Sequence, residues 1–173
     1  MKLSVIASAL VLSSTMFVGH AMAADGTVHF TGEIIGAACE VTTGTKDQSV
    51  DLGIVSTTAF ADGVGTLAAP EKFQIDLENC PDTVTKVAAQ FDGTEAGDGY
   101  LAVNGGATGV AIQIANASDN SVVKLYEDSE AITIDTTTHK ATLPFIAHYI
   151  STDVKVEPGV ANADSQFTLS YTK

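Results

Sequence analysis

The sequence predicts an all-β protein, an antiparallel sandwich or barrel. Three observations carry that expectation. Beyond the first two dozen residues the chain is rich in Thr, Val, Ala, Gly and Ile. Short stretches alternate apolar and polar residues between turn signals. Runs of helix formers at a 3.6-residue period are few. Short strands at this spacing pack as antiparallel layers around one core.

The elements follow in chain order. Lys2 opens a mostly apolar stretch over residues 3–18, broken by Ser4, Ser8, Ser13, Ser14 and Thr15, and Ala21-Met22-Ala23 follows. That pattern is a secretory signal over residues 1–23, cut after Ala23. The stretch falls short of the ~20 apolar residues a membrane span needs. Residues 27–34 then read as a strand with Val28, Phe30, Gly32 and Ile34 on one face. A mature N-terminus is loose unless tied down. This strand therefore either pairs at home or completes the sheet of another molecule.

Residues 50–54 read as the next strand. Residues 73–78 alternate cleanly, with Phe73, Ile75 and Leu77 inward and Gln74, Asp76 and Glu78 outward. Residues 84–91 run into the turn Asp92-Gly93. Residues 110–114 lead to a loop at 116–120, and 122–126, 131–134 and 142–149 follow as strands. Residues 56–61 and 88–90 are compatible with a helical turn. The glycines at 97–99 and 105–106 read as loops. The last strand spans 166–172, with Phe167, Leu169 and Tyr171 on one face. It ends at the chain terminus, so its outer edge needs a cover, and bare edges recruit other strands. A spare strand at the front and an open edge at the back fit head-to-tail pairing between copies, which propagates into rings or fibres.

Composition narrows the function classes. The net charge is −13, one unit more negative once Lys2 leaves with the leader, and Arg is absent. No cluster of Lys offers a phosphate-binding patch, so nucleic acid is excluded as a partner. An acidic surface suits a soluble exported protein present in many copies. The mature chain is long enough for one domain with a real core. Cys39 and Cys80 are the only cysteines, and an even count in an exported chain reads as a disulfide. Closing that loop would restrict the unfolded state by roughly 4 kcal/mol on the chain-entropy model. A zinc site would want more ligands.

His29, His139 and His148 are too scattered for a metal cluster, and no nucleophile motif such as G-x-S-x-G accompanies them for a triad. Asp92, Glu95 and Asp98 share a glycine-rich loop, but their spacing does not fit an EF-hand, and they read as a solvated acidic turn. Asn116-Ala117-Ser118 is formally a glycosylation sequon. No catalytic residue, cofactor or metal is expected.

Several segments together carry a resemblance. They are Gly32-Glu33-Ile34-Ile35 leading to Cys39, Val50-Asp51-Leu52-Gly53, and Phe73-Gln74-Ile75-Asp76-Leu77-Glu78-Asn79-Cys80. Gln90-Phe91-Asp92-Gly93, Gly109-Val110-Ala111-Ile112-Gln113-Ile114 and Pro144-Phe145-Ile146-Ala147-His148-Tyr149 follow, and the terminal strand from Phe167 to Tyr171 closes the set. In this order the chain resembles the structural pilins of bacterial chaperone–usher fimbriae, the type 1 class in particular.

The resemblance implies an incomplete immunoglobulin-like sandwich lacking its last strand. Residues 24–36 would be an N-terminal donor-strand extension and 37–173 the pilin domain. A periplasmic chaperone would lend a strand until an outer-membrane usher passes the subunit into the fibre, where the next subunit's extension replaces it. Val28, Phe30, Gly32 and Ile34 would be the donor face, with Gly32 at a tight pocket. Phe167, Leu169 and Tyr171 would border the acceptor groove. The cysteines stand in family-matching positions. In the family the terminal Tyr usually stands next to last, whereas Tyr171 is followed by Thr172 and Lys173. The implied role is a structural subunit in a homopolymer of pilins at the cell surface, meeting a host receptor through the assembled fimbria. The alternatives are a minor tip or adaptor subunit and a glycan-binding adhesin. An adhesin would usually carry a lectin domain ahead of the extension, and the extension is expected within a few residues of the cleavage site.

Overall fold

The computed structural model describes residues 26–173, so the expected leader and its cleavage site lie outside the described residues. The chain divides at Ile34/Ile35, and the second unit holds the fold. In the first unit, residues 26–34 carry no regular secondary structure, and Val28, Phe30 and Ile34 are exposed, Phe30 to 92%. A strand exists by virtue of its ladder. The alternation expected over 27–34 is present in the sequence, but no strand forms there within the single chain.

The second unit builds ten strands. They are β1 (Glu40–Val41), β2 (Leu67–Glu78), β3 (Lys86–Asp92), β4 (Glu95–Gly97), β5 (Tyr100–Ala102), β6 (Val110–Asn116), β7 (Val122–Val123), β8 (Ile132–Thr133), β9 (Ala141–Ser151) and β10 (Gln166–Thr172). Helical structure is limited to one turn, α1 (Thr43–Lys46), and a 3-10 turn at Thr57–Phe60. The strands form two sheets. The larger runs β1-β2-β9-β6-β5-β4 with β7 also on β6, and the smaller runs β10-β3-β8. Every strand pairing is antiparallel.

Register places the apolar positions on facing sides. In the larger sheet Phe73 pairs Phe145, Ile75 pairs Leu143 and Leu77 pairs Ala141, while Ile112 pairs Tyr149 and Ile114 pairs Ala147. In the smaller sheet Phe91, Ala89 and Val87 of β3 pair Phe167, Leu169 and Tyr171 of β10. Phe73, Phe91 and Phe145 meet across the interior, with ring centroids 5.0–6.1 Å apart, and Phe167 lies 6.4 Å from Phe91. Aromatic pairs at these separations add to the energy of area burial. The disulfide joins Cys39 to Cys80 and ties the start of the domain to the end of β2.

Several expectations are corrected. Residues 50–54 are not a strand: the Asp51 carboxylate accepts the Gly53 N–H at 2.9 Å, and Gly53 has φ 68°. That side-chain turn breaks the extended run. Residues 88–90 hold no helical turn; they lie inside β3, because a strand there buries Ala89 between neighbours on both sides. The expected strand at 122–126 stops at Val123, and Tyr126 adopts φ 65°. The loop expected at 97–99 is present as the Asp98-Gly99 turn of the β4–β5 hairpin, with Gly97 ending β4. The turn expected within 56–61 is the 3-10 turn, capped by the Ser56 hydroxyl, which accepts from the Thr58 N–H.

Candidate functional site: an open groove beside the terminal strand

β10 pairs with β3 on one side, and no strand among the described residues pairs with its other side. Two adjacent strands with the same alternation are therefore buried unequally. Val87, Ala89 and Phe91 of β3 are 1%, 0% and 4% exposed. Their partners Tyr171, Leu169 and Phe167 of β10 pack against the core but are only partly buried.

Next to the free edge lies a groove of about 840 Å³. Its floor is core: Ile75, Phe91, Ile112 and Ile114. Val41, Val50 and Leu52 form one wall, and Ala163 and Phe167 form the other. The irregular path of residues 47–53 creates the first wall. At the far wall Tyr149 donates its hydroxyl to the Ala161 carbonyl at 3.0 Å, pinning the segment that leads into β10. The Tyr149 phenol is pushed up by burial and by the nearby Asp51 charge.

The expected edge residues divide. Phe167 lines the groove, whereas Leu169 and Tyr171 pack on the core further along β10. There the start of the domain comes close: burial raises the Tyr171 phenol, and a hydrogen bond with the Cys39 backbone partly offsets that rise. The expected donor residues Val28, Phe30, Gly32 and Ile34 all lie in the other unit. A Cβ added at Gly32 would meet nothing within 4 Å. Sequence reasoning missed Ala163 and misread Leu52. Ala163 stands in the short alternation Ala161-Asn162-Ala163-Asp164, too brief and too weakly apolar to single out, and Leu52 belonged to a pattern that read as a strand.

The other candidate chemistry is dispersed. His139 donates its ring N–H to the Cys80 carbonyl at 3.0 Å, and the Cys80 N–H donates to the His139 carbonyl at 3.0 Å. His148 stands opposite Gln113 on β9, and burial lowers its pKa. Glu95 accepts from the Gly99 N–H at 2.9 Å, tying the acidic loop to itself. Asn116, the sequon residue, is buried and bonded to the Ser121 hydroxyl and the Glu130 N–H.

The chain is similar to known proteins in sequence and in fold. A family model described as fimbrial protein matches residues 28–172. The chain belongs to the fimbrial protein family. It is 38% identical over 178 residues to the type-1 fimbrial protein A chain of Escherichia coli strain K12, covering 96% of this chain and 95% of that one. It is 39% identical over 177 residues to a type-1 fimbrial protein subunit of Serratia marcescens, with 95% of each covered. Among solved structures, the P pilus rod subunit PapA superposes with TM-score 0.67 at 24% identity, over 79% of this chain and all of that one. A chaperone–usher pilus structure superposes with TM-score 0.64 at 27% identity, over 86% of this chain and 96% of that one. The fold is thus the incomplete immunoglobulin-like sandwich of pilus subunits, and this fimbrial subunit is a structural component of a fimbria.

Proposed function

We propose that the subunit polymerises by donor-strand exchange, with Val28, Phe30, Gly32 and Ile34 of one copy laid along β10 of the next. The observation that carries this reading is the partly buried apolar face of β10 at an unpaired edge over an open core groove. An exposed segment with the matching two-residue period lies at the other end of the chain. Strand addition of this kind takes affinity from backbone hydrogen bonds and specificity from alternate side-chain pockets. Each large donor side chain buried contributes roughly 1.5–3 kcal/mol.

The added strand runs antiparallel to β10. Antiparallel ladders are slightly more stable per residue, and both sheets are already wholly antiparallel. Taking Val28 opposite Tyr171, two-residue steps put Phe30 opposite Leu169, Gly32 opposite Phe167 and Ile34 opposite Ser165, at the groove. Before assembly the same edge needs a temporary cover. A periplasmic chaperone supplies it, and an outer-membrane usher exchanges it for the next extension at the cell surface. The subunit works by shape, as a structural element and not as an enzyme, and reaches a host surface only as part of the fimbria.

The test uses a subunit truncated to residues 35–173. A synthetic peptide of residues 24–36 raises its Tm, because a ligand of the folded state shifts unfolding by mass action. A scrambled peptide of equal composition leaves it unchanged. Equal action of both peptides, or of neither, sinks the reading.

A further inference from the structure

A second groove of about 620 Å³ opens beyond the first, lined by Ile54, Phe60, Val110, Val156, Pro158 and Val160 among others. The two grooves share Gly53, Tyr149, Ala161 and Asn162. The donor stripe, ending at Ile34 opposite Ser165, stops short of Val160 and Pro158. We propose that this second groove is the docking surface for the body of the donor copy, an interface between successive subunits beyond the inserted strand. The proposal rests on the donor-strand reading.

Chain length carries the argument. The compact body begins at Ile35, directly after the last donor residue. Cys39 stands five positions after Ile34, and the disulfide fastens it to Cys80. An extended chain spans at most ~3.6 Å per residue, so Cys39 of the donor lies within ~18 Å of Ile34. With Ile34 opposite Ser165, three residues from the shared Asn162, the donor body is held against the end of the acceptor that the second groove occupies. The connecting residues Gly36, Ala37 and Ala38 are small and exposed, which permits close approach.

The groove is also preformed. One wall is two loops locked together by bridges between Gly106 and Val160, Thr108 and Glu157, and Asn104 and Asn162. The Ala107 N–H donates to the Val160 carbonyl at 3.2 Å, and the Glu157 N–H to the Thr108 carbonyl at 3.0 Å. A Cβ at Gly159 would collide with the Ala107 backbone, so the glycine is what lets the loops meet. Ile54 and Val160 stand exposed on the rims. Preorganised apolar surface costs little ordering to bind, and a groove continuous with the strand site extends one interface.

The experiment assembles the mature full-length chain into fibres and compares wild type, the double variant Ile54→Glu/Val160→Glu, and Val154→Glu. Val154 is exposed and lines neither groove, so it controls for added charge. The expected result is detergent-resistant multimers from all three, with the spread of angles between successive subunits in electron micrographs at least doubled in the double variant alone. Wild-type angles in the double variant overturn the proposal, and so does equal broadening in Val154→Glu. Loss of detergent-resistant multimers in the double variant also overturns it, since Ile54 and Val160 would then act in strand insertion. If wild type itself forms no such multimers, the donor-strand reading fails and the docking surface with it.

Discussion

β3 and β10 are neighbours in one sheet with the same length, register and alternation, yet β3 is core and β10 is only partly buried. The difference lies in what flanks them. β3 has β10 on one side. On the other it has β8 and a loop whose Ser129 takes the Ala89 N–H on its hydroxyl at 3.0 Å and gives its own N–H to the Ala89 carbonyl at 2.9 Å. β10 has β3 alone. Beyond the outer edge of β10 nothing among the described residues pairs with it to carry side chains over its apolar face. The same apolar pattern can therefore be a finished core or an invitation to a partner.

The sharpest way to break this comparison is to truncate paired phenylalanines. Phe91→Ala should cost about 3–5 kcal/mol in the isolated subunit, the usual cost for a buried Phe. Phe167→Ala should cost the isolated subunit less than half of that, yet approach it in the assembled fibre. Denaturant melts of subunit and fibre measure both, and equal costs in the isolated subunit would erase the distinction between the strands.

Removing the disulfide tests the closed end of the β10 face. Cys39→Ser/Cys80→Ser should lose up to roughly 4 kcal/mol, seen as a lower urea midpoint and less folded subunit. An unchanged midpoint would mean the bond does not hold the domain start against Tyr171.

Gly32→Leu sharpens the comparison from the donor side. The subunit itself has room for the side chain, so its Tm should not move. A pocket over β10 too shallow for Leu should weaken each junction by about 1–3 kcal/mol, as overpacking does, and reduce fibre yield. Normal fibre yield would show that the pocket is not shallow.

The smallest effect concerns His148, on the complete sheet. Burial lowers its pKa, so below the ordinary value of 6.5 the unfolded chain binds a proton that the folded chain refuses. Stability should be insensitive to this group above that pH and should fall as pH drops below it. Asp119 and Asp135, whose carboxyls are lowered by hydrogen bonds from Ser121 and Thr137 respectively, lose their contribution only as pH falls further, below 3.8. His148→Gln should flatten the upper step and leave the acid step in place. Melting curves from pH 7.5 to 3 resolve the two, and a persistent upper step would assign it elsewhere.

Much of this molecule was legible from residues alone. The inward set Phe73, Ile75 and Leu77 and the whole of β10 follow from two-residue alternation, because sheet packing reads that period directly. The groove was less legible. Its edge at Phe167 lies on a strand, but its walls at Leu52 and Ala163 lie on irregular segments, where position depends on turns and on contacts distant in sequence. The stretch at 50–54 shows the limit: one bond from Gly53 to the Asp51 carboxylate overrides the apolar alternation.

The sequence by itself determined an exported, acidic, all-β chain with one possible cysteine pair, an alternating stripe at its front and another at its end. These are local patterns or counts, and they need no knowledge of neighbours. Only the tertiary structure decided that β10 has one flank, that the segment before β2 swings aside to leave a groove over Ile75 and Ile112, and that a second groove continues from it. Whether an edge is covered depends on every other strand finding its place, and no window of sequence contains that outcome.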